Sequence, residues 1–409
     1  MIKHLDSTGL FSDLQYGFRT LRSTADILTV LSECIYNSLD AGGETRAIAL
    51  DISKAFDKVW HAGLLHKLKA YGVVGSILGI LESFLKERSL KVVLDGQSSP
   101  LFCINAGVPQ GSVLGPTLFL VFINDLPDEV LSRIGIYADD TTLYSSLGKS
   151  GIFEKVESAG ELELDLCSIV EWGDRWLVTF NATKTKLLSF NRHRDPLLVP
   201  VKMSGIELPE ETSFRLLGLT FTRSMDWKPY IQSIAKAASR KVGSLYRAQR
   251  FLSPESILYL YKSTIRPCME YCSHIWGGAP RSQGLDLLDR VQKRVVNLVG
   301  YELSAGLHAL SHRRDVASLC LFYKYYCGKC SSELADLVPP KRVTIRSTRF
   351  SERMHRHAVN FPKCRTNYYK SSFFPRTAAL WNSLPNECFP SDYDLTAFKG
   401  RVNKFLLLL

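Results

Sequence analysis

The clearest hydrophobic signal near the start of the chain is a short apolar run, Ala47, Ile48, Ala49 and Leu50, that stops at Asp51. Four apolar residues in succession predict a strand buried on both faces, which puts the acid where a buried sheet meets solvent. A second pattern alternates. Ile134, Ile136 and Ala138 are interleaved with Gly135, Tyr137 and Asp139, and Thr141 to Tyr144 follow as a returning strand. That spacing predicts a hairpin with Asp139 and Asp140 at its tip. Between these strands, Val113 to Phe122, with Pro116 near the start, reads as a buried helix, and another helix ends near Trp176. Farther on, spacings of three and four put Ile231, Ile234, Ala238, Val242 and Leu245 on one helical face and Lys236, Arg240 and Arg247 on the other. Helices are also expected from Glu255 to Tyr271, kinked at Pro267, and from Leu285 to Val299, ended by Gly300. No internal repeat or low-complexity tract interrupts this α+β pattern.

The polar residues that punctuate the pattern form three strings: "DISKAF" from Asp51, "GVPQGSVLGP" from Gly107 and "YADD" from Tyr137. Ionised carboxylates persist at a sheet end when a cation neutralises them. Mg²⁺ takes oxygen ligands, commonly one or two carboxylates completed by water and substrate phosphates. Asp51 and Asp139, with Asp140 beside them, are the ligand types for a pair of such ions about 3.5–4 Å apart, one activating an attacking oxygen and one steadying a leaving oxygen. The expected chemistry is nucleotidyl transfer.

In this order the strings resemble the reverse transcriptases of non-LTR (LINE-type, jockey-like) retrotransposons, from about Gln15 onward. "QYGFR" at Gln15 to Arg19, with Ser23 following, is similar to the family's early motif. Asn181, Lys184 and Thr185 match the motif after the Asp-Asp hairpin, and Phe214, Leu217 and Gly218 the short palm-to-thumb motif. The Ala of "YADD" and the "GVPQGS" string fit the non-LTR and group II intron branch. The resemblance implies a right-hand polymerase. Partial fingers and palm would occupy residues 1–222, a helical thumb-like domain 223–300, and a basic, aromatic-rich region 301–409. It implies RNA-directed DNA synthesis with an RNA template, a DNA primer and deoxynucleotides, and two Mg²⁺ ions on Asp51, Asp139 and Asp140, with Mn²⁺ as the alternative ion. Only fourteen residues precede Gln15, so an N-terminal truncation of the fingers is expected. No stretch suggests an endonuclease. The rival reading is a catalytically silent remnant that binds nucleic acid.

Four further residues take roles from the resemblance, each beside a plainer reading. Phe56, five positions after Asp51, would lie beneath the sugar of an incoming nucleotide and reject a ribose 2′-hydroxyl; alternatively it is core. Gln110 and Gly111 would contact template base and nucleotide; alternatively they make an ordinary strand-to-helix turn. Lys184 would protonate the departing pyrophosphate or offset its charge, and Arg19 would bind phosphate bidentately; both residue types are also common at solvated surfaces.

Composition agrees with an intracellular, multidomain globular protein. The chain has 409 residues, 45% hydrophobic and 22% charged, enough to bury more than one core. No apolar run reaches membrane-span length and the N-terminus lacks a signal peptide's apolar stretch, so a location in nucleus or cytoplasm is expected. Ten scattered cysteines are read as reduced. Cys327 and Cys330 form half a zinc pattern, but the spacing of His355, His357 and Cys364 does not complete it. The formal charge of +11 is concentrated at the end: residues 341–409 hold 13 Lys and Arg against 4 Asp and Glu. Phe350, Phe361, Tyr368, Tyr369, Phe373, Phe374 and Trp381 are interleaved with them. Such a segment suits RNA or single-stranded DNA, or else forms a folded basic surface.

Overall fold

A computed structural model describes residues 2–193, 196–342 and 355–408. The chain divides into two compact units, the first made of residues 1–27, 45–189 and 193–211, the second of 28–44, 190–192 and 212–409.

The first unit is built on a four-stranded sheet. Its strands are β1 (Glu44–Leu50), β2 (Arg133–Tyr137), β3 (Asp140–Leu147) and β4 (Lys186–Phe190), in the order β2-β3-β1-β4. The apolar run does form the strand: Ala47 and Ile48 are fully buried and Leu50 nearly so. β2 and β3 pair antiparallel with Ile134 opposite Leu143, Ile136 opposite Thr141 and Tyr137 opposite Asp140. The turn is therefore the two residues Ala138 and Asp139, and Asp140 opens the returning strand. Thr45 Oγ1 lies 2.7 Å from Ser146 Oγ.

Three helices cover the sheet's core: α1 (His61–Ala70), α2 (Leu114–Ile123) and α3 (Ile152–Trp176). α2 is buried all round, from Leu118 to Ile123, as its unbroken apolar sequence requires. α3 buries Ala159, Leu162, Leu166, Ile169 and Trp172, a single stripe at spacings of three and four. Charge is not excluded from this core. Lys67 Nζ donates to the Phe122 carbonyl (2.6 Å) and to Asp125 (2.5 Å), beneath the Trp176 ring; burial lowers its pKa to about 8, against the pull of Asp125.

The second unit is largely helical. A hairpin of β5 (Ser213–Leu216) and β6 (Leu219–Thr222) precedes α4 (Lys228–Ala248), which packs on α6 (Leu285–Val299). α4 buries Ile231, Ala238, Val242 and Leu245 and exposes Lys236, Arg240 and Arg247, as the periodicity predicts. The helix expected from Glu255 to Tyr271 has three parts: α5 (Pro254–Leu260), a π turn at Tyr261–Ile265, and a helical turn at Arg266–Glu270. Arg266 N–H donates to the Tyr261 carbonyl five residues back, so the helix widens just ahead of Pro267, which has no N–H to offer.

The C-terminal aromatics are mostly core. α7 (Leu310–Tyr326), α8 (Phe373–Asn382) and α9 (Leu395–Leu406) close around Trp381, which is fully buried. Phe322 lies 4.8 Å and Phe389 4.9 Å from Trp381 by ring centroid, and Tyr323 stacks on Phe398 at 4.2 Å. Phe373 and Phe374 are also buried, Phe361 is exposed, and Phe350 lies outside the described residues. The residue 28–44 segment belongs to this unit through polar contacts. Asp40 accepts the N–H groups of Arg365 (2.8 Å) and Thr366 (2.7 Å), Glu33 accepts the Tyr369 hydroxyl (2.6 Å), and Tyr36 accepts Trp227 Nε1 (3.0 Å). None of the ten cysteines is joined in a disulfide. Among the described residues no helix is long and apolar enough to cross a membrane.

Candidate active site

The first unit gathers the acidic residues at one end of its sheet. Asp51 directly follows β1, and Asp139 and Asp140 lie at the turn into β3, the strand beside β1. Thr45 touches Ser146 six residues before Asp51 and six residues after Asp140. β1 and β3 are neighbours in the sheet, and Asp51 lies near enough to Asp140 to act on it electrostatically. The Asp140 carboxyl has its pKa raised, first by the protein crowded around it and then by the charges of Asp139 and Asp51. Asp140 keeps an exposed side, while Asp51 and Asp139 are half-buried.

The turn itself is held from outside the hairpin. Tyr16 N–H donates to the Ile136 carbonyl (2.8 Å) and Ile136 N–H to the Leu14 carbonyl (3.0 Å). Gln15, 1% exposed, accepts the N–H groups of Gly17 (2.7 Å) and Ala138 (3.0 Å) on its side-chain oxygen. Ala138 has φ 58°, the left-handed region that a tight hairpin turn requires.

The "DISKAF" and "GVPQG" segments meet. Val108 N–H donates to the Phe56 carbonyl and Gly107 N–H to the Val59 carbonyl, both at 2.8 Å, and Gln110 Nε2 donates to Asp57 (2.9 Å). Gly107 has φ 88°, and a Cβ there would sit 2.7 Å from the Asp57 carbonyl oxygen, so this contact needs glycine. Gly111 also has positive φ, with open space around it. Phe56 is half-buried, stacked on Phe119 of α2 at 4.3 Å.

Lys184 is carried to the same sheet end by the backbone. Asn181 N–H donates to the Asp51 carbonyl (2.9 Å), and Lys184 and Thr185 N–H groups close a turn on Asn181. The Lys184 side chain is exposed. Arg19 is placed differently. Its guanidinium pairs with Asp6 (3.3 Å), donates to the Ser12 carbonyl (2.9 Å) and lies over Phe11, and burial lowers its pKa. It is committed to its own end of the chain, whereas Gln110 and Lys184 present polar groups to solvent.

The donor set suits a hard divalent cation. Asp140, whose ionised form is disfavoured first by burial and then by the charges of Asp139 and Asp51, gains from added positive charge. Among the described residues no group of three or more His, Cys, Asp or Glu is drawn tightly enough to cage a metal by itself. Mg²⁺ sites commonly rely on one or two carboxylates with water and phosphate completing the shell, so such a cage is not required. His355 bonds the Trp381 carbonyl (2.9 Å) and packs on Phe389.

Gln15 lies within the early motif, but its task is set by a turn far away in sequence and leaves no local signal.

Residues 1–221 match the family described as reverse transcriptase (RNA-dependent DNA polymerase), and the chain belongs to that family. Among curated proteins it is 33% identical over 291 residues to the RNA-directed DNA polymerase from mobile element jockey of Drosophila melanogaster, covering 68% of this chain and 31% of the relative. The jockey counterpart of Drosophila funebris is 33% identical over 282 residues (66% and 30%), and the probable RNA-directed DNA polymerase from transposon BS of Drosophila melanogaster 29% over 288 residues (67% and 31%). The chain thus spans about a third of the length of the curated relatives it matches. A solved structure of telomerase from Candida tropicalis, in complex with a fragment of telomeric RNA, matches 75% of this chain and 46% of that one at 12% identity; its TM-score of 0.32 is too low to bear on the fold.

Proposed function

We propose that this protein is the RNA-directed DNA polymerase of a non-LTR retrotransposon, extending a DNA primer along an RNA template with deoxynucleotides. The observation that carries the reading is the gathering of Asp51, Asp139 and Asp140 at one sheet end, where burial first and then the charges of Asp139 and Asp51 raise the Asp140 pKa. On this reading Asp51, Asp139 and Asp140 hold two Mg²⁺ ions, for which Mn²⁺ can substitute. The ions would supply activation of the primer 3′-hydroxyl and neutralisation of the pyrophosphate. Lys184 donates a proton or a positive charge to the leaving group from its exposed position beside Asp51. Gln110 and Gly111 face template and nucleotide, Phe56 underlies the sugar, and Arg19 braces the N-terminal segment unless it is released to bind phosphate.

The right-hand layout belongs to the same proposal, with the sheet unit as palm and partial fingers and α4 to α6 as thumb. So does action in the nucleus or cytoplasm, where template and primer meet. Primer extension by the purified chain, on an RNA template with Mg²⁺ or Mn²⁺, tests the reading. Extension that disappears in Asp51→Ala supports it. Salt-sensitive RNA binding without extension in either metal would instead establish the silent remnant.

A further inference from the structure

We infer that Gln15 is the positioning residue for the Asp139 turn, fixing where Asp139 and Asp140 stand relative to Asp51. The functional part of this inference rests on the polymerase reading; the structural part does not.

Ala138 is the pivot. Its φ of 58° is a conformation that an L-residue with a Cβ adopts only when its surroundings enforce it. The enforcing group is Gln15: its side-chain oxygen receives the Ala138 N–H at 3.0 Å, and its Nε2 points back at the Ala138 carbonyl at 3.5 Å. One carboxamide thus addresses both polar groups of the residue preceding the two acids. Gln15 is itself immobilised. Its oxygen also takes the Gly17 N–H, and a single parallel bridge sets Leu14 and Tyr16 against Ile136, two residues before Ala138. Because Gln15 is 1% exposed, water does not compete for either bond.

The close approach explains the Gln-x-Gly spacing. A Cβ at position 17 would run into the Ala138 amide nitrogen and stand 3.1 Å from both Ala138 Cα and the Gln15 oxygen. Glycine is needed there so that the segment can lie against the turn. The acids are 124 and 125 residues from Gln15 in sequence, so this contact is purely tertiary.

The test uses the full chain and two readouts, amide hydrogen exchange at Ala138 and Gly17 and Mn²⁺ affinity by electron paramagnetic resonance. Gln15→Met keeps the side-chain length and removes the acceptor; Gln15→Glu keeps the acceptor. In Gln15→Met both amides should exchange about tenfold faster and the Mn²⁺ dissociation constant should rise about tenfold, while Gln15→Glu retains amide protection. Unchanged exchange in Gln15→Met overturns the assignment. Faster exchange with unchanged Mn²⁺ affinity reduces Gln15 to a structural residue and also overturns it. If the unaltered chain binds no Mn²⁺, the polymerase reading falls, and exchange in the Met and Glu variants alone decides whether Gln15 holds the turn. Should Gln15→Met fail to fold, Gly17→Ala presses on the same amide with Gln15 intact, and unaltered Ala138 exchange in that variant would overturn the inference.

Discussion

Acidic side chains are treated in opposite ways in the two units. In the second unit Glu33 is hydrogen-bonded to Tyr369, Asp40 to the Arg365 and Thr366 backbone, and Glu270 to Arg313 in a two-pronged pair. In the first unit Asp140 has only like charges for neighbours: its pKa is raised first by burial and then by Asp139 and Asp51. Partnered charges build structure. Like charges held together weaken it, and a fold keeps them where a ligand is to supply the missing charge. Lys67, paired with Asp125 inside the first unit, shows that the difference follows the site and not the unit.

The sharpest way to break this comparison is to remove an acid from each class. Asp139→Ala should lower primer extension by about 10⁴-fold while leaving RNA affinity intact and the melting temperature equal or higher, since repulsion on Asp140 is relieved. A variant that melts earlier would mean that Asp139 is structural. In the second unit the largest loss should come from packing. Trp381→Ala should cost about 3–5 kcal/mol by chemical denaturation, because a fully buried ring and its Nε1 bond to the His357 carbonyl (2.8 Å) are both lost. A C-terminal tail that merely stacks on nucleic acid would show no such cost.

Glu33 qualifies the contrast through pH, because its carboxyl, although bonded to Tyr369, is also held toward the protonated form. Its pKa is raised to about 7 by burial, against the lowering effects of Tyr369 and Asn37. The folded state thus holds this proton more tightly than the unfolded chain. Stability from Glu33 is complete below its ordinary pKa of 4.5 and is lost as pH rises through about 7. The full difference is roughly 3 kcal/mol. Denaturation of Glu33→Gln at about pH 5 and about pH 8 should show that this slope has gone, and an unchanged slope would assign it to another group.

Phe56→Val tests a residue shared between site and core. If the ring limits the sugar pocket, the ratio of ribonucleotide to deoxynucleotide incorporation should rise about tenfold. If the ring matters only through its stacking on Phe119, both activities should fall together and the ratio should hold. The smallest effect is expected at Arg290, whose pair with Asp286 is exposed on α6: Arg290→Ala should change stability by less than about 0.5 kcal/mol.

What was legible in the sequence was what depends on neighbours along the chain. The buried run to Leu50, the hairpin around Asp139, the α4 stripe and the Gly300 stop are local patterns, and each appears where its spacing put it. The task of Gln15 was not legible, because it is set by a turn more than a hundred residues away. Nor was the fate of the C-terminal aromatics. Phe373, Phe374 and Trp381 have the composition of a stacking surface and the burial of a core, and only tertiary packing separates the two. The same holds for the 28–44 segment, which joins the second unit through Asp40 and Glu33, partners of residues more than three hundred positions later.

The π turn at Tyr261–Ile265 can also be understood as a phase device. An α-helix rotates about 100° per residue, so one extra residue in a turn swings everything after it round the axis by that angle. Met269 is fully buried and Glu270 reaches Arg313 only with that offset in place. Deleting one residue between 261 and 265 would remove the widening and leave Met269 and Glu270 where they stand, whereas regular α winding of the full residue count would turn Met269 out of the core and part Glu270 from its guanidinium partner.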